Sequence, residues 1–208
     1  NGARIFDNSF AELAERPDLP EFDVIALHGI WSWVSDANRA IIVDIIRRKL
    51  VPGGIVLLSY NALPGWAGFM PVRNLMLLHT SLAEKATTAL PGRISNAIDF
   101  AQKLGDLGAI YFKAQGASKD WLKTISKENA SYLAHEYFNA DWHPMAFADV
   151  ARRMDDAKVT YAGPGALHDL YDAIHLVGEQ PAYLAGVSDP ILRESTRDFF
   201  LNRQFRCD

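Results

Sequence analysis

Two short segments of the sequence are dense in residues that could bind and orient a ligand. The run HGIWSW contains His28, Gly29, Trp31 and Trp33, and the run YNALPGW contains Tyr60, Asn61 and Trp66. The faces of aromatic rings attract cations. Group transfer from a cationic donor such as a sulfonium to a neutral acceptor needs little acid-base chemistry, so an aromatic wall and a few orienting polar groups could carry it. Tryptophans are also common core anchors, and a histidine in a loop is often simply hydrogen-bonded.

The elements that must position these segments are predicted over residues 22–61. The uncharged run VIAL is typical of a strand buried on both faces of a parallel sheet. Ser35 or Asp36 is a reasonable N-cap for a helix that runs to Leu50, with its basic residues in the last turn. VPGG should end this helix, and GIVLLSYN follows as a second strand. We therefore predict two adjacent parallel strands joined by a helix.

This arrangement places both ligand-binding segments at one edge of the sheet. In an open parallel sheet, ligands bind in the crevice at the carboxyl ends of the strands. The loops at residues 28–33 and 60–66 leave those ends. We expect their side chains to converge.

The rest of the chain has a different texture. Residues 3–8 are a strand candidate, and a short capped helix follows. Residues 71–140 are predicted to be mostly helical, as an insertion over the active edge of the sheet or as a separate domain. A helix over residues 144–158 should lead into VTYAG as a strand, AIHLVG could be another, and the last residues look helical.

Composition limits the class of protein. The 208 residues carry a formal net charge of −4 and show no basic patch, so we expect neither nucleic acid nor membrane as a partner. Cys207 is the only cysteine, no apolar run approaches about 20 residues, and we interpret the protein as cytoplasmic. The chain begins at Asn1 and reads as a piece cut from a longer polypeptide.

No metal site is predicted. His135 and Glu136 lack the second histidine of a metalloprotease helix. The group His168, Asp169, Asp172 and His175 could hold a divalent ion, but its spacing is more often that of a solvated helix face.

Longer runs resemble a known family. The run from Phe22 to Trp66 resembles the fourth and fifth strands of class I S-adenosylmethionine-dependent methyltransferases. Residues 132–163 resemble the regulatory domain that a bacterial group of these enzymes carries, and RDFFLNRQFRCD resembles its continuation. The resemblance implies an α/β fold: the C-terminal half of a Rossmann-like sheet in residues 1–66, a helical insertion in 67–141, and a helix-strand return with the start of the regulatory region in 142–208.

The resemblance also implies roles for individual residues. Ser9 and Phe10 would lie by the adenine of S-adenosylmethionine, and His28 and Gly29 would border both cofactor and acceptor. Tyr60 and Asn61, together with His28, are the catalytic candidates. The residue types alone make Trp31, Trp33 and Trp66 the substrate-binding candidates, and the resemblance places Trp66 on the acceptor side.

These residues lack the glycine-rich cofactor loop of the family. We expect that loop upstream of Asn1, and we expect the fragment alone to bind the cofactor weakly, if at all, and to be inactive. The methyl acceptor is open between a protein side chain, a small molecule and a lipid head group. The alternative is a non-catalytic regulatory or oligomerisation module, with the helical insertion as a candidate homodimer interface.

Overall fold

The computed structural model describes residues 2–83 and 88–208. They divide into two compact units. The first consists of the chain up to Pro64 together with His143–Asp208, and the second is Gly65–Trp142. The first is mixed α/β and the second is helical.

The strands are β1 (Phe22–Leu27), β2 (Leu50–Asn61) and β3 (Phe205–Cys207). The helices of the first unit and those of the second follow in chain order: α1 (Phe10–Ala14), α2 (Asp36–Lys49), α3 (Met70–Leu82), α4 (Leu90–Asp106), α5 (Ile110–Ala114), α6 (Gly116–Ile125), α7 (Ala130–Glu136), α8 (Phe147–Asp155), α9 (Asp172–His175), α10 (Gln180–Ala185) and α11 (Pro190–Leu201). Two 3-10 turns cover Trp31–Trp33 and Leu167–Leu170.

The predicted parallel pair of strands is confirmed. β1 and β2 run parallel, with Leu27 opposite Leu58, and α2 connects them. The Ser35 hydroxyl caps α2 by accepting the Asn38 N–H at 3.2 Å. Ile42 and Ile46 of α2 pack into one buried cluster with Leu27 and Leu58. The amphipathic face of the helix therefore holds the two strands at their carboxyl ends.

The start of β2 differs from the prediction. VPGG does not separate helix from strand, because β2 begins at Leu50, immediately after α2. The extra residues are absorbed by an irregularity in the ladder: Phe22 stands opposite Leu50, and Val24 stands opposite Ile55. Gly53, with φ of 83°, lies within that irregular stretch and supplies the left-handed backbone conformation there.

The prediction of strands buried on both faces is wrong at one place. Val24 and Ile55 are register partners, yet 58% and 63% of their surfaces are exposed. Among the described residues the sheet has three strands in the order β1-β2-β3, and β1 pairs along one edge. Val24 and Ile55 are therefore apolar side chains that this chain leaves largely exposed.

Four further strand or helix predictions are also wrong. Residues 3–8 form no strand, and the first three residues of AIHLVG belong to α9 while the rest form no strand. VTYAG stays irregular because the chain beside it meets β3 through one hydrogen bond, from Gly165 N–H to the Cys207 carbonyl, rather than through a ladder. The final residues are not helical, because Asn202 adopts a left-handed conformation with φ of 45°, which ends α11 and lets the chain enter β3.

The second unit contains α3 to α7, and its described residues include no strand, as predicted. The sequence predicted a helix break at Pro91 and Gly92, and this is wrong. Both residues lie in the first turn of α4, where a proline is well tolerated. None of the helices in the described part of the chain is both long and apolar enough to cross a bilayer.

The Ser35 cap gives a testable expectation. Replacing Ser35 with Ala removes the side-chain acceptor of the Asn38 N–H, and should lower the free energy of unfolding by about 1 kcal/mol. Ser35→Asp keeps an acceptor at the same place and serves as the control. Urea denaturation of the three proteins measures the effect. Equal stability of Ser35→Ala and wild type would contradict it.

Candidate functional site

The loop after β1 is tied to the end of β2 by two serine hydroxyls. The Ser59 Oγ accepts the Gly29 N–H at 2.9 Å and lies 3.2 Å from His28 Nδ1. The Ser32 Oγ accepts the Asn61 N–H at 2.8 Å. Both serines are buried. We call the residues His28–Ser32 and Ser59–Asn61 the strand-end site. The structure thus brings together the predicted residues His28, Gly29 and Asn61.

Asn61 has an unusual environment. Its side chain is 3% exposed, and its carbonyl accepts the Met145 N–H at 3.0 Å. Its Nδ2 group has no hydrogen-bond partner among the described residues. A buried donor without a partner costs about 1–3 kcal/mol. An acceptor atom of a ligand would remove that cost.

Gly29 leaves open space in the loop after β1. Its φ is +66°, a conformation that favours glycine, and no heavy atom lies within 4 Å of the position that a Cβ would take. A ligand can therefore approach the backbone closely at Gly29. Together with the unpaired amide of Asn61, this fits the edge of a bound cofactor or substrate.

The two tryptophans of the loop lie in different surroundings. Trp31 is fully buried in the core with Leu27 and Leu58, and its carbonyl accepts a hydrogen bond from the Arg39 guanidinium at 2.9 Å. Trp33 is only partly buried. Trp31 therefore anchors the loop, whereas Trp33 is the loop tryptophan that keeps some exposure to solvent.

Tyr60 belongs to a different environment from its neighbours in sequence. Because successive side chains of a strand alternate in direction, Tyr60 points away from the side on which Ser59 and Asn61 lie. Its hydroxyl donates to the Asp208 carboxylate at 2.8 Å. Burial and the nearby Asp208 charge raise the pKa of Tyr60 well above its ordinary value.

The hydroxyl of Tyr60 borders a buried ion cluster centred on Arg206 of β3. The guanidinium binds Asp198 at 2.7 Å, Glu194 at 3.1 Å and Asp208 at 2.8 Å. It also lies 4.3 Å from the centre of the Phe147 ring. Burial raises the pKa of Asp198 to about 6, and this effect outweighs the attraction of Arg206. The cluster joins β3 and α11, and it contacts β2 through the hydrogen bond between Tyr60 and Asp208.

Ser9 and Phe10 have local structural roles. The Ser9 hydroxyl accepts the Glu12 N–H, and the Glu12 carboxylate accepts the Ser9 N–H at 2.8 Å, which forms a capping box for α1. Phe10 packs against the buried core. Their contact with adenine stays a prediction.

Trp66 lies in an aromatic cluster of the helical unit. Its indole is 7% exposed and meets the rings of Trp121 and Trp142 edge-on at 5.1 and 5.3 Å between centroids. Phe69 and Tyr137 complete the cluster. This packing favours a role in stability for Trp66.

His168, Asp169 and His175 place ligand atoms within 4.8 Å of one another. The Asp169 carboxylate, however, accepts two hydrogen bonds from Arg203, at 3.1 and 3.2 Å, and lies 3.8 Å from Arg197. A divalent cation would meet both guanidinium charges. The donor set therefore suits ion pairing better than a metal.

The last part of the chain matches the model of a protein family. The profile of the predicted methyltransferase regulatory domain matches residues 129–208. The ion cluster around Arg206 lies within the regulatory domain, and its strand β3 pairs with β2.

The relatives are longer than this chain. The uncharacterized protein sll1526 of Synechocystis sp. is 42% identical over 203 residues, which are 98% of this chain and 39% of that protein. The uncharacterized protein RP789 of Rickettsia prowazekii is 29% identical over 197 residues, 89% of this chain and 33% of that protein. The chain therefore spans well under half of the curated relatives that it matches.

A solved structure is also similar. PKMT2 from Rickettsia typhi, in complex with AdoHcy, is 27% identical and superposes with a TM-score of 0.74, over 96% of this chain and 37% of that one. The resemblance to methyltransferases that carry a regulatory domain is thereby confirmed.

Sequence reasoning missed the two serines and the ion cluster. Ser59 and Ser32 had a signal, since each is a small hydroxyl residue inside an apolar run at a predicted strand end. The partners of Arg206 had none, because the contact between β3 and α11 of the regulatory domain depends on the fold.

The aromatic cluster predicts the outcome of truncating Trp66. Trp66→Ala should destabilise the protein by roughly 3–5 kcal/mol because it leaves a cavity among packed rings. Turnover per folded molecule should change little. Tyr132→Ala, at a ring that is 47% exposed, is the control. Thermal and urea unfolding measure the stability of each variant, and an activity assay measures its turnover per folded molecule. A normally stable Trp66→Ala protein with strongly reduced turnover would instead favour an acceptor-binding role.

The raised pKa of Asp198 in the regulatory domain predicts a pH effect on stability. Because the folded-state pKa of about 6 lies above the ordinary value of 3.8, the contribution of this group is complete below about pH 4 and is lost as pH rises through 6. Asp198→Asn removes the titration. The difference in unfolding free energy, wild type minus variant, should therefore fall between pH 4 and 7. A constant or rising difference would contradict this.

Proposed function

We propose that this chain is part of an S-adenosylmethionine-dependent methyltransferase and that its strand-end site forms the acceptor side of the active site. Residues 1–66 would be the C-terminal half of a Rossmann-like sheet, 67–141 the helical insertion, and 142–208 the return to the sheet and the start of the regulatory region. The support is the regulatory domain match, the motifs between Phe22 and Trp66, and the likeness to PKMT2, which was solved with AdoHcy. AdoHcy is what remains of S-adenosylmethionine after methyl transfer.

The buried, unpaired amide of Asn61 carries this proposal. The open backbone at Gly29, which belongs to the same strand-end site, lets a ligand approach. The bound cofactor supplies a methyl group on a positively charged sulfur. The protein then needs mainly to hold a neutral acceptor in line and to exclude other geometries. Asn61 would donate a hydrogen bond that orients the acceptor, His28 would contact the acceptor, and Gly29 would border the cofactor.

The other residues predicted from sequence would have different roles in this site. Trp33, partly exposed at the loop, is the preferred aromatic wall. Trp31 and Trp66 are buried and would act through the shape of the loop and of the helical unit. Tyr60 would act through the ion cluster, since Asp208 holds its hydroxyl. The acceptor is unidentified, and a protein side chain is the first class to test.

A non-catalytic module is the second candidate. Apolar side chains are exposed on the helical unit, among them Leu82 at 77%, Leu107 at 75% and Ile110 at 81%. Exposed apolar surface of this kind often marks an interface, and a homodimer through these helices is the simplest case. Light scattering across a concentration series tests it, independently of cofactor binding.

Asn61→Ala in the complete protein tests the main proposal. Turnover should fall by about 10–100-fold, because the acceptor loses its orienting contact, while AdoHcy affinity measured by calorimetry should change little. Asn96→Ala, on an exposed surface of α4, is the matched control. The 208-residue chain alone should give no binding isotherm. Unchanged turnover in Asn61→Ala, or absence of AdoHcy binding by the complete protein, would refute the proposal.

A further inference from the structure

The Ser59 hydroxyl has its hydrogen-bonding capacity largely fixed by its neighbours. A serine hydroxyl offers one proton and two acceptor lone pairs. The Gly29 N–H can only donate, so it occupies a lone pair of the Ser59 oxygen at 2.9 Å. The remaining proton needs an acceptor, because Ser59 is 1% exposed and little water reaches it. Among the described residues, His28 Nδ1 at 3.2 Å is the atom that can accept it.

This contact decides which nitrogen of His28 carries a proton. A neutral imidazole has one N–H donor and one acceptor nitrogen, and the hydrogen bond made by one nitrogen selects the state of the other. If Nδ1 accepts from Ser59, the proton of the ring lies on Nε2. The opposite arrangement, with Nδ1–H donating to Ser59, would leave the buried serine proton without a partner, which is costly.

We propose that Ser59 is a positioning residue that holds His28 in the Nε2–H form, so that His28 donates a hydrogen bond to an acceptor atom of the methyl-accepting substrate and does not remove its proton. The proposal rests on the proposed function for the role of the substrate, but the tautomer itself does not. A general base would need a free lone pair on the nitrogen that faces the substrate. Ser59 takes up the nitrogen that could have supplied it and leaves the donor free.

The tautomer can be measured directly by NMR. In the 15N-labelled complete protein, at a pH where His28 is neutral, long-range 1H–15N correlation distinguishes protonated from unprotonated ring nitrogens. There are six histidines, and the His28→Gln spectrum assigns the signal. We expect an acceptor-type Nδ1 and a protonated Nε2. A protonated Nδ1 in the wild type would overturn the proposal, whether or not the protein transfers methyl groups.

A pair of buried serines provides the matched comparison. Ser59→Ala removes the hydroxyl beside His28 and should give a mixture of tautomers. Ser32→Ala removes an equally buried hydroxyl of the same junction, one that accepts the Asn61 N–H, and should leave the His28 tautomer unchanged. If Ser59→Ala does not fold, Ser59→Cys, which keeps the size and weakens the donor, replaces it. An unchanged tautomer in the Ser59 variant would also overturn the proposal.

Activity separates a donor from a base. His28→Gln keeps an N–H donor near the position of Nε2, whereas His28→Phe keeps the bulk and no donor. A donor role predicts that the Gln variant keeps kcat/KM within about 10-fold of wild type and that the Phe variant loses considerably more. Equal, severe loss in both variants would mean that His28 acts as a base and would refute the donor role. Absence of methyl transfer in the wild type would count against the proposed function alone.

Discussion

The parallel pairing of β1 and β2 is the constraint on which the rest of the first unit depends. Parallel neighbours cannot be joined by a tight turn, so a crossover is obligatory, and α2 supplies it. The same geometry brings the carboxyl ends of both strands to one edge. Residues separated by about thirty positions in sequence therefore meet there, and two buried hydroxyls, Ser59 and Ser32, close the junction. The direction of the two strands, more than any single side chain, therefore determines where the candidate site forms.

Successive side chains at the end of β2 point into two different environments. Ser59 and Asn61 lie toward the loop after β1, and Tyr60 lies toward the Arg206 cluster. On the edge that does not pair with β1, β2 pairs with β3, and this pairing places Cys207 opposite Ser59. The segment that matches the regulatory domain model is thus joined by backbone hydrogen bonds to the residues that form the candidate site.

Local patterns in the sequence were sufficient for the strand, helix and strand of residues 22–61, because capping, periodicity and uncharged runs act over a few residues. They failed where a strand depends on a distant partner. VTYAG has a strand composition but finds no ladder, while FRC, in a segment predicted to be helical, pairs with β2. The full burial expected at Val24 was likewise a property of its surroundings, which the run itself does not contain.

Tyr60 and Asn61 illustrate the same limit at the candidate site. From sequence they are equivalent, two polar residues at the end of one apolar strand. In the structure the Tyr60 hydroxyl has a partner, whereas the Asn61 Nδ2 group is buried and has none in the described part of the chain. A folded protein tolerates such a group where something compensates for it. Since the backbone already satisfies the Asn61 N–H and carbonyl, the side-chain amide is the part of this residue whose hydrogen-bonding capacity is unused among the described residues.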